Sequence, residues 1–271
     1  MNTTDLKVAL VPLQIEWGDK IKNLAEVKRF MNLIHRDADI VIFPETFSTG
    51  FPSMEDKEFV RVMAERNTGE TMQMIHQLAN HYNIAIAGSF IADTGGLLFN
   101  RGFIVEPSGD EYFYDKRHLF TMANEHVVFN PGDSHTCIRY RGWNISIVIC
   151  YDIRFPVWCR NQDNKYDLLI CVANWPKVRV DAWNKLLFAR AIENQSYVCG
   201  VNCKGVDKNG YEYDGSSMII DYKGNDISIR IDETGIVYAT LCRSRLDSFR
   251  KKFPVWDDSD EFFIKNMSNK K

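Results

Sequence analysis

The chain places a thiol, two carboxylates and an ammonium where predicted strands end or loops begin. Cys150 follows the apolar run 145–149, Glu45 follows a short buried strand, and Lys116 closes an aromatic strand, with Glu125 nine residues further on. In open α/β architectures the ends of neighbouring strands meet at one edge of the sheet, where sites form. A nucleophile, a proton acceptor and a cation for an oxyanion are the groups that acyl transfer requires.

Each of these groups has a definable role in amide hydrolysis. Glu45 can take the proton from Cys150 and later return it to the departing amine. Lys116, helped by the backbone N–H of Tyr151, can stabilise the oxyanion of the tetrahedral intermediate. We expect a sharp turn at Cys150 and then a helix, with Pro156 in its first turn. The positive end of that helix would lower the pKa of the thiol.

Taken one at a time, these residues also fit ordinary structural roles. Free cysteine is among the most buried residue types, and a lone charged residue at a strand end is usually solvated. Other catalytic arrangements lack their signals, because all six histidines precede Cys150 and there is no GxSxG, GxGxxG or Walker motif. Cys199 and Cys203 come closest to a metal spacing but have no second cluster, so we expect no metal.

The composition indicates a globular chain that acts on small molecules. Of its 271 residues 45% are hydrophobic, and a net charge of -3 gives no reason to expect nucleic acid or an anionic membrane as partner. No apolar run approaches the roughly 20 residues that span a bilayer, and the N-terminus lacks a signal-peptide pattern. Seven irregularly spaced cysteines suit a reducing compartment. We therefore expect a cytoplasmic protein.

The elements that would position the candidate residues alternate between strand and helix. Apolar runs predict strands at 6–11, 39–43, 83–90, 145–149, 167–173 and 196–202, and periodic apolar stripes predict helices near 24–34, 72–82, 157–162 and 183–192. Two further sets of segments predict a hairpin, 97–105 with 111–116, and a meander, 215–221, 226–231 and 236–241, with turns at 223–225 and 233–235. The expected fold is α/β, a single domain over 1–271 in which two mixed sheets pack together with helices outside.

Four motifs surround the candidate residues in the order FPETFSTGF, YDKRHLF, EHVVFNPG and CYDIRFPVW. Together they resemble the Glu, Lys, Glu, Cys motifs of the nitrilase superfamily of carbon-nitrogen hydrolases, and the similarity extends over residues 6–245. The resemblance implies a four-layer α-β-β-α sandwich, homodimers formed by helix packing, and no metal or organic cofactor. It also implies that Cys150 is the nucleophile, Glu45 the general base and acid, and Lys116 the oxyanion donor. Glu125 would be a second carboxylate that positions Lys116 or the deacylating water.

Three further segments, VANWP, ARAIENQ and FPVWDDSDEF, most resemble the bacterial omega-amidases. Enzymes of that group hydrolyse 2-oxoglutaramate and 2-oxosuccinamate to the 2-oxo acid and ammonia. The four catalytic motifs do not choose the substrate, so two alternatives stay open. One is another amidase of the superfamily, acting on deaminated glutathione or on an N-carbamoyl amino acid, and the other is a non-catalytic dimeric scaffold.

An omega-amide substrate carries a carboxylate and a ketone, which need a cation or several donors one small-molecule length from the thiol. Arg154, Trp175 and Phe120 are the candidates by sequence. Arg154 also has an alternative role in an ion pair with Asp152 or another carboxylate, and the two aromatic residues have an alternative role in packing. The segment 252–271 mixes aromatic and acidic residues, so we expect it to dock on the body of the protein or on a partner subunit.

Overall fold

The computed structural model describes residues 5–34, 38–52, 55–230 and 234–264. In chain order the strands of these ranges are β1 (Leu6–Leu10), β2 (Ile40–Ile42), β3 (Ala85–Thr94), β4 (Leu97–Val105), β5 (Glu111–Asp115), β6 (Cys137–Tyr140), β7 (Trp143–Ile149), β8 (Leu168–Ala173), β9 (Tyr197–Asn202), β10 (Lys204–Val206), β11 (Glu212–Asp214), β12 (Met218–Ile220), β13 (Ile229–Arg230) and β14 (Val237–Leu241). The α-helices are α1 (Lys20–Leu33), α2 (Lys57–Met63), α3 (Glu70–Tyr82), α4 (Val180–Asn194) and α5 (Arg243–Lys252).

Two mixed sheets form the centre of the molecule. The first has the spatial order β13-β14-β1-β2-β3-β4-β5 and the second β12-β9-β8-β7-β6, while β10 and β11 pair with each other. Strands β1, β2 and β3 run parallel, as do β7, β8 and β9. The predicted hairpin is confirmed, because β4 and β5 pair antiparallel. The chain leaves β2, β7 and β8 at their carboxyl ends, directly before the candidate residues Glu45, Cys150 and Trp175.

The inner faces of the two sheets pack against each other and form the main core. Leu10 and Ile42 of the first sheet belong to the same buried cluster as Ile147 and Ile170 of the second. Helices α1 and α3 cover the outer face of the first sheet, and α4 covers that of the second. The predicted four-layer α-β-β-α sandwich is therefore confirmed. None of the helices in the described ranges combines the length and the apolar character that a bilayer crossing requires.

Helix α4 shows how sequence periodicity becomes packing. Its predicted apolar stripe is confirmed, since Trp183, Leu187 and Ala191 are all buried. The helix comes close to β9 because Gly200 has no side chain: a Cβ there would lie 2.4 Å from Cδ1 of Leu187. The sheet thus leaves space for the helix at the point of closest approach.

Some predicted elements are wrong or too long. No α-helix forms at 157–162 in the described chain, where the structure has turns and a 3-10 helix, Gln162–Asn164. The side chain of Asn161 accepts the N–H of Tyr166 and donates to carbonyl oxygens of Tyr166 and Asn194, so it connects this segment to the start of the next strand and to the end of α4.

The predicted C-terminal meander is wrong as a single unit, because β12 pairs with β9 in the second sheet while β13 and β14 pair with each other in the first. The strand predicted at 215–221 spans only Met218–Ile220, and the one at 226–231 spans only Ile229–Arg230. Residue 231, and the first residue of the turn predicted at 233–235, lie outside the described ranges.

The C-terminal segment predicted to dock, 252–271, contacts the body of the protein in its described part. Gln195 Nε2 donates to the carbonyl oxygen of Phe253 at 2.8 Å, and Gln162 Nε2 to that of Phe262 at 3.1 Å. The last seven residues of the segment lie outside the described ranges.

Candidate active site

Cys150 stands at the carboxyl end of β7, between β6 and β8. Its φ of +46° lies in the left-handed region, which costs a residue with a side chain on the order of 1 kcal/mol or more. The predicted sharp turn is confirmed, but the helix expected after it is wrong. The chain forms a 3-10 helix, Cys150–Arg154. Phe155 then adopts an extended backbone conformation, because the residue before a proline is sterically kept out of the helical region.

Asp152 holds this turn from within the core. Its Oδ2 accepts the N–H of Ile149 at 3.1 Å and the hydroxyl of Tyr114 at 2.7 Å. Its Oδ1 accepts the backbone N–H of His118 and contacts the ring Nδ1 of the same residue, both at 2.8 Å. The ion pair considered between Asp152 and Arg154 is therefore wrong, because both carboxylate oxygens are used elsewhere and the Arg154 side chain is exposed at a cavity.

Glu45 follows β2 and is fully buried. Its Oε1 accepts from Lys116 Nζ at 2.9 Å and from Asn100 Nδ2 at 2.7 Å. Its Oε2 accepts the backbone N–H of Asn174, at 2.8 Å. A carboxylate oxygen has two lone-pair positions, so Oε1 is saturated and Oε2 retains one position for a further proton donor.

Lys116 is enclosed by the two predicted carboxylates. Its Nζ donates to Glu45 and to both oxygens of Glu125, the latter at 3.0 Å each, and lies 5.5 Å from the centre of the Phe51 ring. Glu125 Oε2 also accepts the N–H of Phe120 at 2.6 Å. Glu125 does not line the cavity and reaches the site only through Lys116 and its neighbours.

Burial is the largest single influence on the pKa of each of these groups. It lowers the pKa of Lys116, but the charges of Glu125 and Glu45 outweigh burial and hold that pKa well above its usual value. Burial raises the pKa of Glu125, which Lys116 opposes and Glu45 reinforces. Burial likewise raises the pKa of the Cys150 thiol well above its usual value, with a further increase from Glu45. The expected lowering of the thiol pKa is therefore wrong, because desolvation and the carboxylates outweigh the attraction of Lys116.

Sequence analysis missed three side chains that hold the site together. Asn100 lies within β4, and its signal was a polar residue inside the apolar run LLFNRGFIV. Asn174 belongs to the VANWP segment, and its Nδ2 donates to the carbonyl oxygen of Glu45 and to Thr46 Oγ1, both at 3.0 Å. Ser89 is buried in β3, where no sequence signal separated it from any small strand residue.

A cavity of about 740 Å³ opens onto the thiol. Its wall brings together seven of the eight predicted site residues, namely Glu45, Lys116, Phe120, Cys150, Tyr151, Arg154 and Trp175. The Arg154 guanidinium lies 4.8 Å from a ring centre of Trp175. Arg179, which sequence analysis did not single out, also lines the cavity, 5.6 Å from the centre of the Phe120 ring. Within the described ranges, no three His, Cys, Asp or Glu side chains are grouped as a metal ion would require.

The chain is similar to known proteins over almost its whole length. The model of the carbon-nitrogen hydrolase family matches residues 7–251. Omega-amidase YafV of Escherichia coli strain K12 is 40% identical over 258 residues, which cover 95% of this chain and 98% of YafV. The 2-oxoglutaramate amidase of Bacillus subtilis strain 168 is 31% identical over 254 residues, covering 93% of this chain and 96% of that protein.

Solved structures share the fold. The crystal structure of XC1258 from Xanthomonas campestris, a CN-hydrolase superfamily protein with an arsenic adduct in its active site, superposes with a TM-score of 0.91 at 37% identity. The match covers 97% of this chain and 100% of XC1258. Saccharomyces cerevisiae Nit3, a member of the nitrilase superfamily, superposes with a TM-score of 0.79 at 25% identity, covering 93% of this chain and 95% of Nit3.

Proposed function

The chain belongs to the carbon-nitrogen hydrolase family, and on this basis we propose that it is an omega-amidase. As a member of that family it is a hydrolase that acts on amide C–N bonds. Its substrate is the terminal amide of 2-oxoglutaramate or 2-oxosuccinamate, and its products are the 2-oxo acid and ammonia. Two of the similar proteins bear the names omega-amidase and 2-oxoglutaramate amidase, which supports this choice of substrate.

In the acylation step, the sulfur of Cys150 attacks the amide carbon while its proton passes to Glu45. The raised pKa of Cys150 keeps the resting thiol neutral, so a base must take the proton as the S–C bond forms. Glu45 Oε2 is that base, because Oε1 already accepts two hydrogen bonds. Glu45 then returns the proton to the nitrogen, the C–N bond breaks, and ammonia leaves a thioester on Cys150.

In the deacylation step, water replaces the sulfur. Lys116 Nζ and the backbone N–H of Tyr151 stabilise the oxyanion in both steps. Glu125 holds Lys116 in place through its two hydrogen bonds of 3.0 Å. Glu45 takes a proton from the attacking water and returns it to the departing sulfur, which releases the carboxylic acid and restores the thiol.

The observation that carries the substrate assignment is a pair of arginines on the cavity wall. Arg154 and Arg179 each lie over an aromatic ring, and neither forms an ion pair with a carboxylate of the described residues. Two further carboxylates line the cavity: that of Asp207 accepts the N–H groups of Asn209 and Tyr211 in its own loop, and that of Glu55 is exposed. A guanidinium without an internal partner is suited to bind the carboxylate of a small substrate.

One observation favours a second candidate function. A cavity of about 740 Å³ has more space than a five-carbon amide fills, and it accommodates a larger amide such as deaminated glutathione. Such a substrate would use the same Cys150, Glu45 and Lys116 chemistry and would differ only in how far it extends toward the cavity mouth.

We also propose that the protein is a cytoplasmic homodimer. The location rests on the seven cysteines, all of which are free thiols, as in proteins of reducing compartments. The dimer rests on the resemblance to the nitrilase superfamily. Sedimentation of the purified protein tests it, with a mass of two chains expected.

A substrate panel tests the function. We expect kcat/KM for ammonia release to be highest with 2-oxoglutaramate and lower with glutamine, deaminated glutathione and an N-carbamoyl amino acid. Arg154→Met and Arg179→Met should each raise KM for 2-oxoglutaramate on the order of 10-fold or more, because each removes a charged hydrogen-bond donor. Arg160→Met is the matched control, since Arg160 lies 4.3 Å from the Trp256 ring and does not line the cavity. A higher kcat/KM with deaminated glutathione would favour the second candidate, and no turnover of any amide would contradict both.

A further inference from the structure

Asn100 is a fully buried asparagine whose amide group touches both carboxylates of the site. Its Nδ2 donates to Glu45 Oε1 at 2.7 Å and lies 3.4 Å from Glu125 Oε1. Its backbone carbonyl oxygen accepts the N–H of Lys116 at 2.9 Å. One residue of β4 therefore contacts all three charged residues of the cluster.

A chain of hydrogen bonds fixes which way the Asn100 amide faces. Ser89 Oγ donates to Asn100 Oδ1 at 3.1 Å, and the same Oγ accepts the backbone N–H of Thr46 at 2.8 Å. The Thr46 N–H fills one lone-pair position of Ser89 Oγ, and the one hydroxyl proton of Ser89 points to Asn100 Oδ1, while the carboxylate oxygens on the other side of the amide can only accept. The amide oxygen of Asn100 is thereby occupied, and its NH₂ group must face the carboxylates.

The charges of the cluster explain why a neutral donor is needed there. Two carboxylates share the single ammonium of Lys116, so the cluster carries an excess negative charge when both are ionised. A hydrogen bond to an ionised carboxylate favours the ionised form. Together with Lys116, Asn100 fills both lone-pair positions of Glu45 Oε1, so a new donor can bind only at Oε2.

We propose that Asn100 is a positioning residue that orients Glu45 so that Oε2 receives the proton of the thiol. This inference rests on the proposed function, because it concerns the base of the same amidase site. An aspartate in its place would add a third carboxylate, and an aliphatic side chain would leave Oε1 with only one donor. The titratable groups that surround Glu45 on the packed elements are Lys116, Glu125, Cys150, Cys171 and Cys203.

The test is the pH dependence of kcat/KM in Asn100→Leu, a change that keeps the size of the side chain and removes its donor. Glu45 must be unprotonated to accept the thiol proton, and loss of the Asn100 donor favours the protonated form of Glu45. We expect the acid limb of the profile to move to higher pH by roughly one unit. Ser89→Ala lets the Asn100 amide rotate but keeps its donor, so it should move the acid limb in the same direction by a smaller amount. This second variant keeps the test usable if Asn100→Leu does not fold.

The control variant is Asn161→Leu, another fully buried asparagine, whose bonds go to Tyr166 and Asn194. It should lower stability and leave the acid limb in place. An acid limb unchanged in both Asn100→Leu and Ser89→Ala, or one moved equally by Asn161→Leu, would overturn the role of Asn100. The profiles are measured with whichever amide the wild type hydrolyses fastest. If the wild type hydrolyses no omega-amide, the proposed function is wrong. If the wild type is active but the acid limb is unchanged in Asn100→Leu and Ser89→Ala, only this inference is wrong.

Discussion

At the scale of the residue, the site contains a neutral thiol beside a base rather than a stable thiolate. Burial and Glu45 raise the pKa of Cys150, and Lys116 opposes them only in part. In the proposed mechanism a thiol with a raised pKa loses its proton only as the new bond forms, so Cys150 would depend on Glu45 during the attack. This arrangement needs no histidine, and it explains why a carboxylate lies at the same cavity as the sulfur.

The ionisation of Cys150 can be measured directly. We expect the thiolate ultraviolet absorbance of wild type minus Cys150→Ala to be zero at neutral pH and to appear only in strongly alkaline solution, because the folded pKa lies above the usual thiol value. Cys159→Ala is the control, since burial raises the pKa of Cys159 to about 12. A thiolate difference at neutral pH for Cys150 would show that Lys116 outweighs desolvation.

The four charged or nucleophilic residues could be predicted because their chemistry depends on side-chain type and on position at strand ends. Asn100 could not be given a role from the sequence, because a single asparagine in an apolar strand does not show what it faces. The direction of the Cys150 pKa also depended on three-dimensional facts, namely burial and the approach of Glu45 from another sheet.

At the scale of the element, the Cys150 turn and the end of β5 are joined by Asp152. This carboxylate accepts the N–H of Ile149 just before Cys150, and it binds Tyr114 and His118, which flank Lys116 two residues to either side. It therefore links the segment that carries the thiol to the segment that carries the ammonium.

Removing that link should cost both stability and activity. In Asp152→Ala the N–H groups of Ile149 and His118 and the hydroxyl of Tyr114 lose their acceptor inside the core. We expect the free energy of unfolding in urea to fall by about 3 kcal/mol, and kcat/KM to fall with it. Asp133→Ala, at an exposed position in the loop before β6, should change neither. An Asp152→Ala protein with wild-type stability would show that this carboxylate does not join the two segments.

Element prediction succeeded where periodicity reflects burial and failed where side chains pair with the backbone. The apolar stripe of α4 could be predicted because Trp183 and Leu187 lie at helical spacing and are both buried. The segment at 157–162 has apolar residues too, but Asn161 binds backbone groups of Tyr166 and Asn194 that lie outside that local window. A single sequence does not show which distant backbone groups the Asn161 side chain binds.

At the scale of the whole molecule, the two sheets bring their strand ends to one cavity, and the C-terminal segment packs on the outside. The number of predicted strands favoured two packed sheets over one wide sheet, and the family resemblance specified the four layers. The described part of the C-terminal segment is held by Gln195, Gln162 and the contact of Arg160 with Trp256.

A chain ending at Lys252 tests what this segment contributes. Loss of two hydrogen bonds and one cation-ring contact should lower the free energy of unfolding by on the order of 2 kcal/mol. If the segment also contacts a partner subunit, sedimentation will show a smaller fraction of dimer. A truncated chain with unchanged stability and an unchanged oligomeric state would contradict the docking of this segment.

The central claim is tested most directly by ammonia release from 2-oxoglutaramate, measured side by side for wild type and Cys150→Ala. We expect steady release by the wild type and release at the uncatalysed rate by a Cys150→Ala protein that is still folded. No release by the wild type, or release that persists in the folded variant, would contradict it.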